Sequence, residues 1–213
     1  MNESVIRVRW QKRMLDIVVS TLACLFASPL VALGLAIYLF EMLISPASRG
    51  SIIYVDTRVS QGHEFRLLKF RIFKRRNLHQ FMKLNGYVDT KTLEKDKRNL
   101  TFFGRFIKQI YLDEFPQFIN VLKGDMSVVG PRPTNVANYK KGLLKGNRAK
   151  TLLRAGITGY FQSHKAVKLQ KNQEEIDLEY ASFCRRNSGW RIVLYDLKIM
   201  LVTLKTILQA KGV

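Results

Sequence analysis

The chain has 213 residues, 36 of them Lys or Arg against 16 Asp or Glu, for a formal net charge of +20, with 47% hydrophobic and 11% aromatic residues. That composition folds, which excludes a disordered basic tail, and the surplus charge points to anionic partners: nucleic acid, acidic lipid or phosphorylated metabolites. Cys24 and Cys184 show no metal-type spacing, so neither a disulfide framework nor a zinc site is supported and a reducing compartment is the simplest reading. The length suits one domain with a sizeable core and a short appendage.

Arg7, Arg9, Lys12 and Arg13 lead into an uncharged run from Ile17 to Phe40, bracketed by Asp16 and Glu41. Its 24 residues are enough to cross a bilayer. Ser28 and Pro29 interrupt it at the middle. Pro29 lacks an N–H and its ring crowds the carbonyl one turn earlier, at Leu25, so a kink is expected, and Ser28 can return a hydrogen bond to a freed carbonyl. Each half is about 18 Å long, too short for a hydrocarbon core of about 30 Å. Basic residues follow the run as well as precede it, and both flanks favour the cytoplasm. A re-entrant helix-kink-helix keeps both on one face; a straight span, the alternative, sends one across. A cleaved leader would need a shorter run and a small-x-small site. The expected boundaries are a basic N-terminus and membrane helix at 1–45 and a second domain at 46–213.

After the turn-rich "SPASRG", the stretches "SIIYVDTRVS" and "HEFRLLKFRIF" predict two strands joined at Gln61 and Gly62 as a hairpin. Arg58, Arg66, Lys69 and Arg71 would line one ribbon. Residues 74–99 are polar and charge-mixed, a loop or helical excursion. "LTFFGRFIKQI" has helical apolar spacing at Leu100, Phe103, Ile107 and Ile110, and "EFPQFINVL" at Phe115, Phe118, Ile119 and Leu122. Asp113 and Glu114 sit between these patterns, where Asp113 can be an N-cap and Pro116 fits the first turn. A cap seldom explains two acids. Arg132, held between Pro131 and Pro133, has a stiff backbone that aims its guanidinium at phosphate or a uracil-like edge. The segment 190–208 reads equally as a core helix or as an amphipathic helix lying on a membrane surface.

Taken together, "RVS" and "KFR" at 58–71, "LTFFGRF" at 100–106, "LDEFPQFINVLKGDMSVVGPRP" at 112–133, "GITGYFQ" at 156–162 and "DLEY…DLKIM" at 177–200 resemble the bacterial sugar transferase family, the monotopic phosphoglycosyl transferases. The resemblance covers nearly the whole chain. It implies an α+β fold: a re-entrant N-terminal helix and a mostly helical cytosolic catalytic domain with a short hairpin and interfacial amphipathic helices. It implies transfer of a sugar 1-phosphate from a UDP-sugar to polyprenyl phosphate, with release of UMP, at the cytoplasmic face of a bacterial inner membrane, initiating glycoconjugate synthesis. Asp113 matches the family's nucleophile and Glu114 its partner. Mg²⁺, held at Asp113 and Glu114, would bridge phosphate oxygens. Lys69, Arg71, Lys108, Arg132 and Gln162 are the expected substrate contacts, and the surplus charge is then explained without nucleic acid.

Several positions depart from the family pattern. Lys108 stands for Arg, Tyr111 for Ser, Ala155 for Pro and Ser60 for Gly, while Ser163, His164, Lys165 and Ala166 replace Asn-Gly-Arg and its neighbour. His164 and Lys165 are candidates for the missing polar role, although a solvated surface explains them as well. The length suggests a minimal catalytic form without the extra membrane helices of larger relatives. A second reading is a non-catalytic basic scaffold on anionic lipid or nucleic acid, for which adjacent carboxylates are a handicap.

Overall fold

The computed structural model describes residues 4–75, 77, 93, 95–163 and 171–209. His164, Lys165 and most of the 74–99 excursion lie outside them. In chain order the helices are α1 (Trp10–Ile44), α2 (Phe102–Gln109), α3 (Gln117–Lys123), α4 (Val136–Leu144), α5 (Ala149–Leu152), α6 (Tyr160–Ser163), α7 (Gln173–Arg186) and α8 (Gly189–Gln209). The strands are β1 (Ile53–Ser60), β2 (His63–Phe70), β3 (Ser127–Val129), β4 (Thr134–Asn135) and β5 (Gly156–Thr158). Helix thus dominates a mixed fold, as expected. Two compact units emerge: Met1–Ala23, Asp56–Leu67 and Gln117–Val213 form the first, Cys24–Val55 and Leu68–Pro116 the second.

Helix α1 runs 35 residues with Pro29 inside it. It is long and apolar enough to cross a membrane, and only 11% of its most apolar stretch is buried. Pro29 deprives the Leu25 carbonyl of its donor, and Ser28 Oγ supplies one at 2.7 Å, as the sequence predicts.

In the first unit β1 and β2 are neighbours in a three-stranded sheet of order β2-β1-β4. Gln61 and Gly62 both take positive φ, 50° and 80°, which a two-residue type I′ turn requires. β4 pairs antiparallel with β1 through Val59 and Thr134, and β3 runs parallel to β5. The core gathers Leu67, Val121, Met126, Val129, Leu152, Tyr180 and Ile192. Within α3 the buried residues are Gln117, Asn120 and Val121, while Ile119 is exposed, so the expected apolar face is not the inner one. Asn120 is acceptable inside because its amide donates to the Arg66 carbonyl at 2.8 Å and to Asp125 at 3.0 Å.

The start of α1 is tied into this unit by charge. Lys12 Nζ donates to Asp196, to Tyr180 Oη at 3.1 Å and to the Val129 carbonyl at 3.0 Å, and Tyr180 Oη donates to Asp196 at 2.6 Å. Burial works against the ammonium, but the charges of Asp196 and Asp16 outweigh it and hold Lys12 above the ordinary lysine range. Arg13 donates to the Val121 and Leu122 carbonyls at 2.6 and 2.7 Å, near the end of α3, where a cation is favoured. Two of the four cations read as a topological signal are therefore engaged within the protein. Asp16 Oδ1 accepts from Ser127 Oγ and Val128 N, both at 2.9 Å.

Two of the family departures meet here. Ser60 Oγ accepts the Ala155 N–H at 3.0 Å and donates to the Asp125 carbonyl at 2.6 Å. Gly at 60 would offer no acceptor and Pro at 155 would need none, so the two changes compensate each other.

The second unit has its own core of Tyr38, Phe70, Ile72, Phe73, Leu100, Phe103 and Ile107. Tyr38 stacks on Phe103, with centroids 4.9 Å apart. Thr101 Oγ1 caps α2 by accepting from Gly104 N at 2.8 Å. A Cβ at Gly104 would lie 2.3 Å from the Ile72 carbonyl oxygen, so only glycine fits this approach. Ile110, expected on the inner face, is 45% exposed because α2 ends at Gln109.

Replacing Lys12 with Met leaves the Asp196 carboxylate buried without its cation, and denaturant unfolding should show a loss of about 3–5 kcal/mol, much of it restored by adding Asp196→Leu. In a double-mutant cycle, Ser60→Gly should cost about 1–3 kcal/mol by stranding the buried Ala155 N–H. Ser60→Gly with Ala155→Pro should cost clearly less than the sum of the single changes.

Candidate active site

Two residues beyond the end of α2, Tyr111 has a φ of +56°, which puts a non-glycine residue in the left-handed region, at a cost of order 1 kcal/mol. That residue turns the chain into a 3-10 turn, Leu112–Glu114, in which Phe115 N donates to the Leu112 carbonyl at 3.1 Å. Leu112 and Asp113 are the buried members, Asp113 at 9% exposure. Asp113 lies within this turn and α3 starts only at Gln117. It is therefore not at the N-cap position that was the structural explanation for an acid here.

Glu114 is partly exposed and pairs with Lys69 on β2, Nζ to Oε1 at 3.1 Å, each side chain 22% exposed. At that exposure the pair contributes under about 1 kcal/mol, so it orients the Glu114 carboxylate more than it stabilises the fold. Arg71 is buried, and it donates to the Ser51, Phe73 and Ser48 carbonyls at 2.7, 3.0 and 2.6 Å. Its guanidinium holds backbone, which is not the substrate contact the sequence suggests. Arg58 pairs with Asp56 at 2.7 Å through Nε. Arg58, Lys69 and Arg71 therefore each engage a different partner, while Arg66 is exposed. Lys108 is half-buried in the last turn of α2, where a cation is favoured by the negative end of the helix dipole.

Glu41 is a residue whose role the sequence did not disclose. Its two carboxylate oxygens accept the backbone N–H groups of Phe102 and Phe103 at 2.9 and 2.7 Å, and Ser48 Oγ donates to it at 2.6 Å. The first donors of α2, which leads to Asp113, are satisfied by the end of the apolar helix.

Arg132 and Gln162 belong to the first unit. Arg132 is exposed between β3 and β4. The loop behind it is compressed onto glycines: a Cβ at Gly156 would lie 2.1 Å from Gly130 N, and one at Gly159 would lie 2.4 Å from the Gly130 oxygen and 2.8 Å from Gln162 Oε1. Both amide atoms of Gln162 are buried, and among the described residues neither has a hydrogen-bond partner. An orphaned amide of this kind calls for a ligand or water.

Among the described residues no group of three or more His, Cys, Asp or Glu side chains could cage a metal. The adjacent carboxylates of Asp113 and Glu114 are hard oxygen donors that fit Mg²⁺ only with help from phosphate or water, which is its usual manner of binding.

The chain matches the bacterial sugar transferase family over residues 7–210. It is 35% identical over 205 residues to the UDP-glucose:undecaprenyl-phosphate glucose-1-phosphate transferase of Escherichia coli, covering 92% of this chain and 39% of that protein. It is 31% identical to a UDP-N-acetylgalactosamine-undecaprenyl-phosphate N-acetylgalactosaminephosphotransferase of Aeromonas hydrophila, covering 94% of this chain and 44% of the relative. The exopolysaccharide production protein ExoY of Sinorhizobium fredii is 30% identical, covering 94% and 87%. The chain thus spans about two-fifths of the length of the first two relatives and most of the third. With a match running from its basic N-terminus into the end of α8, the chain belongs to the bacterial sugar transferase family.

Proposed function

We propose that the chain transfers a sugar 1-phosphate from a UDP-sugar to a membrane polyprenyl phosphate, of the undecaprenyl type, and releases UMP. The observation that carries this reading is the dyad: a buried Asp113 in a 3-10 turn beside a Glu114 oriented by Lys69, in a chain of this family. In the first step an Asp113 carboxylate oxygen attacks the β-phosphorus, and the bond from that phosphorus to the bridging oxygen breaks. UMP leaves with the electron pair. The resulting acyl phosphate is reactive enough that an oxygen of polyprenyl phosphate can attack the same phosphorus and regenerate the carboxylate. No base is needed to activate a carboxylate at neutral pH.

Mg²⁺, held by the dyad and the diphosphate, would neutralise charge developing on the leaving group. Lys69 keeps Glu114 in place, and Lys108 is a cation for the phosphates. In its own unit Arg132 is offered to phosphate or to a uracil edge, and the orphaned amide of Gln162 to the nucleotide. Arg71 supports the backbone.

The membrane supplies the second substrate. α1 enters the bilayer from the cytoplasmic face of the inner membrane, bends at Ser28 and Pro29 and returns. α8 lies along the same surface. It exposes Trp190, Leu194, Leu197, Leu201 and Leu204, flanked by exposed Arg191, Lys198 and Lys205, a pattern suited to acidic headgroups.

Detergent-solubilised protein given UDP-sugar, Mg²⁺ and polyprenyl phosphate should release UMP, and Asp113→Asn should lower the rate on the order of 10³-fold or more. Given donor alone, the protein should gain the mass of a sugar phosphate at residue 113. Turnover that survives the substitution would defeat the assigned chemistry.

A further inference from the structure

Arg13 and Arg154 bring two guanidinium groups to one place in the first unit. A Cβ added at Gly124, in the turn after α3, would lie 3.7 Å from Arg13 Nη2 and 3.9 Å from Arg154 Nη1. Arg13 has a structural reason to be there, since it donates to the Val121 and Leu122 carbonyls. Arg154 has no such reason: among the described residues its guanidinium makes no hydrogen bond and no ion pair. Burial, and then the Arg13 charge, hold Arg154 below the ordinary arginine range, and the charges of Asp16 and Asp125 offset only part of this. A half-buried cation beside a like charge, with its N–H donors unspent, calls for an anion.

The surroundings are basic as well. Arg154 lines a groove together with Arg7, Arg9 and Lys12, and no Asp or Glu lines it. Lys12 is spent on Asp196, but Arg7 and Arg9 are exposed and have no side-chain partner among the described residues. Arg13 precedes Ile17, where the uncharged run begins, by about one turn of α1, or about 6 Å. A bilayer's headgroup region reaches about 5–7 Å beyond its hydrocarbon core on each side. With α1 in the bilayer as proposed above, the guanidinium pair stands at the level of the headgroup phosphates.

We propose that Arg13 and Arg154 form a clamp for one phosphate ester, seated over Gly124 and approached past Arg7 and Arg9. Guanidinium forks match the paired oxygens of a phosphate, and Gly124 has no side chain to fill the place. The clamp uses residues of the first unit only. Two sources supply that chemistry at that depth: a phospholipid headgroup, which would pin the foot of α1, and polyprenyl phosphate. Only the second rests on the transferase reading.

The test is lipid titration of the full chain in neutral detergent, followed by native mass spectrometry, with short-chain phosphatidylglycerol, a short polyprenyl phosphate and a phosphate-free diacyl glucoside as probes. One phosphate lipid should be retained and the glucoside should not. Arg154→Met should weaken retention about tenfold or more, whereas Lys141→Met, which removes an exposed cation on α4, should leave it within about twofold. Equal losses in the two variants would reduce the clamp to diffuse surface charge and overturn it, as would retention indifferent to Arg154. Without lipid, Arg154→Met should unfold at no lower temperature than the parent, because it removes a cation that the protein does not pair; a lower midpoint would make Arg154 a structural prop and also overturn the proposal. Retention of both phosphate lipids assigns the clamp to headgroups. Retention of polyprenyl phosphate alone assigns it to the second substrate, and Arg154→Met should then raise KM for that lipid with kcat unchanged. Binding is read without turnover, so a clamp found in protein that never releases UMP would stand while the transferase reading fell.

Discussion

A carboxylate at each end of the apolar run accepts backbone N–H groups from the unit that holds it. Asp16 takes Val128 N with Ser127 Oγ in the first unit, and Glu41 takes Phe102 N and Phe103 N in the second. Both acids are buried, so each N–H is satisfied where water cannot reach it easily. A helix whose sides are apolar offers little polar surface of its own to grip a folded domain. Fixing its ends by charge-assisted hydrogen bonds solves that problem in a directional way, because a carboxylate has to meet particular donors. Lys12 and Arg13 strengthen the first junction and Ser48 the second.

The second junction bears on chemistry through sequence adjacency. Glu41 fixes the first turn of α2, Gly104 lets the helix touch the Ile72 backbone, and Tyr111 turns the chain into the 3-10 turn that carries Asp113. Each step is short, so little slack accumulates between the apolar helix and the acid. For the nucleophile proposed at Asp113 a fixed position is an advantage, since attack geometry tolerates only small misplacement.

Much of this was legible in the sequence, and the reasons differ by element. The apolar run, its Ser-Pro break and the Gln61-Gly62 hairpin rest on local rules that tertiary packing did not override. Asp113 and Glu114 stood out because two neighbouring acids in a basic chain have few structural explanations, and their place in a 3-10 turn away from a cap position removes one of them. The fate of the cations was not legible: Arg71 and Lys12 look like Arg66 in a string of letters, yet they are buried on carbonyls and carboxylates while Arg66 faces solvent. Burial of a long cation depends on partners far away in the chain, and spacing does not carry that information. Around α2 the helical spacing picks out the inner face correctly at Leu100, Phe103 and Ile107 and fails only at Ile110, which lies beyond the helix end. Asn120 and Gln117 were missed because polar side chains were assumed to face out, whereas a satisfied amide is at home in a core.

The hydrogen bond from Ser28 to the Leu25 carbonyl has a consequence for biogenesis. Proline breaks in membrane helices commonly depend on neighbouring helices to supply the missing donor, and here the donor sits on the adjacent residue of the same helix. The break is self-sufficient from the moment it is synthesised. In the membrane placement proposed for α1, the segment can therefore settle in lipid while the remainder of the polypeptide is still on the ribosome, and insertion need not wait for tertiary structure.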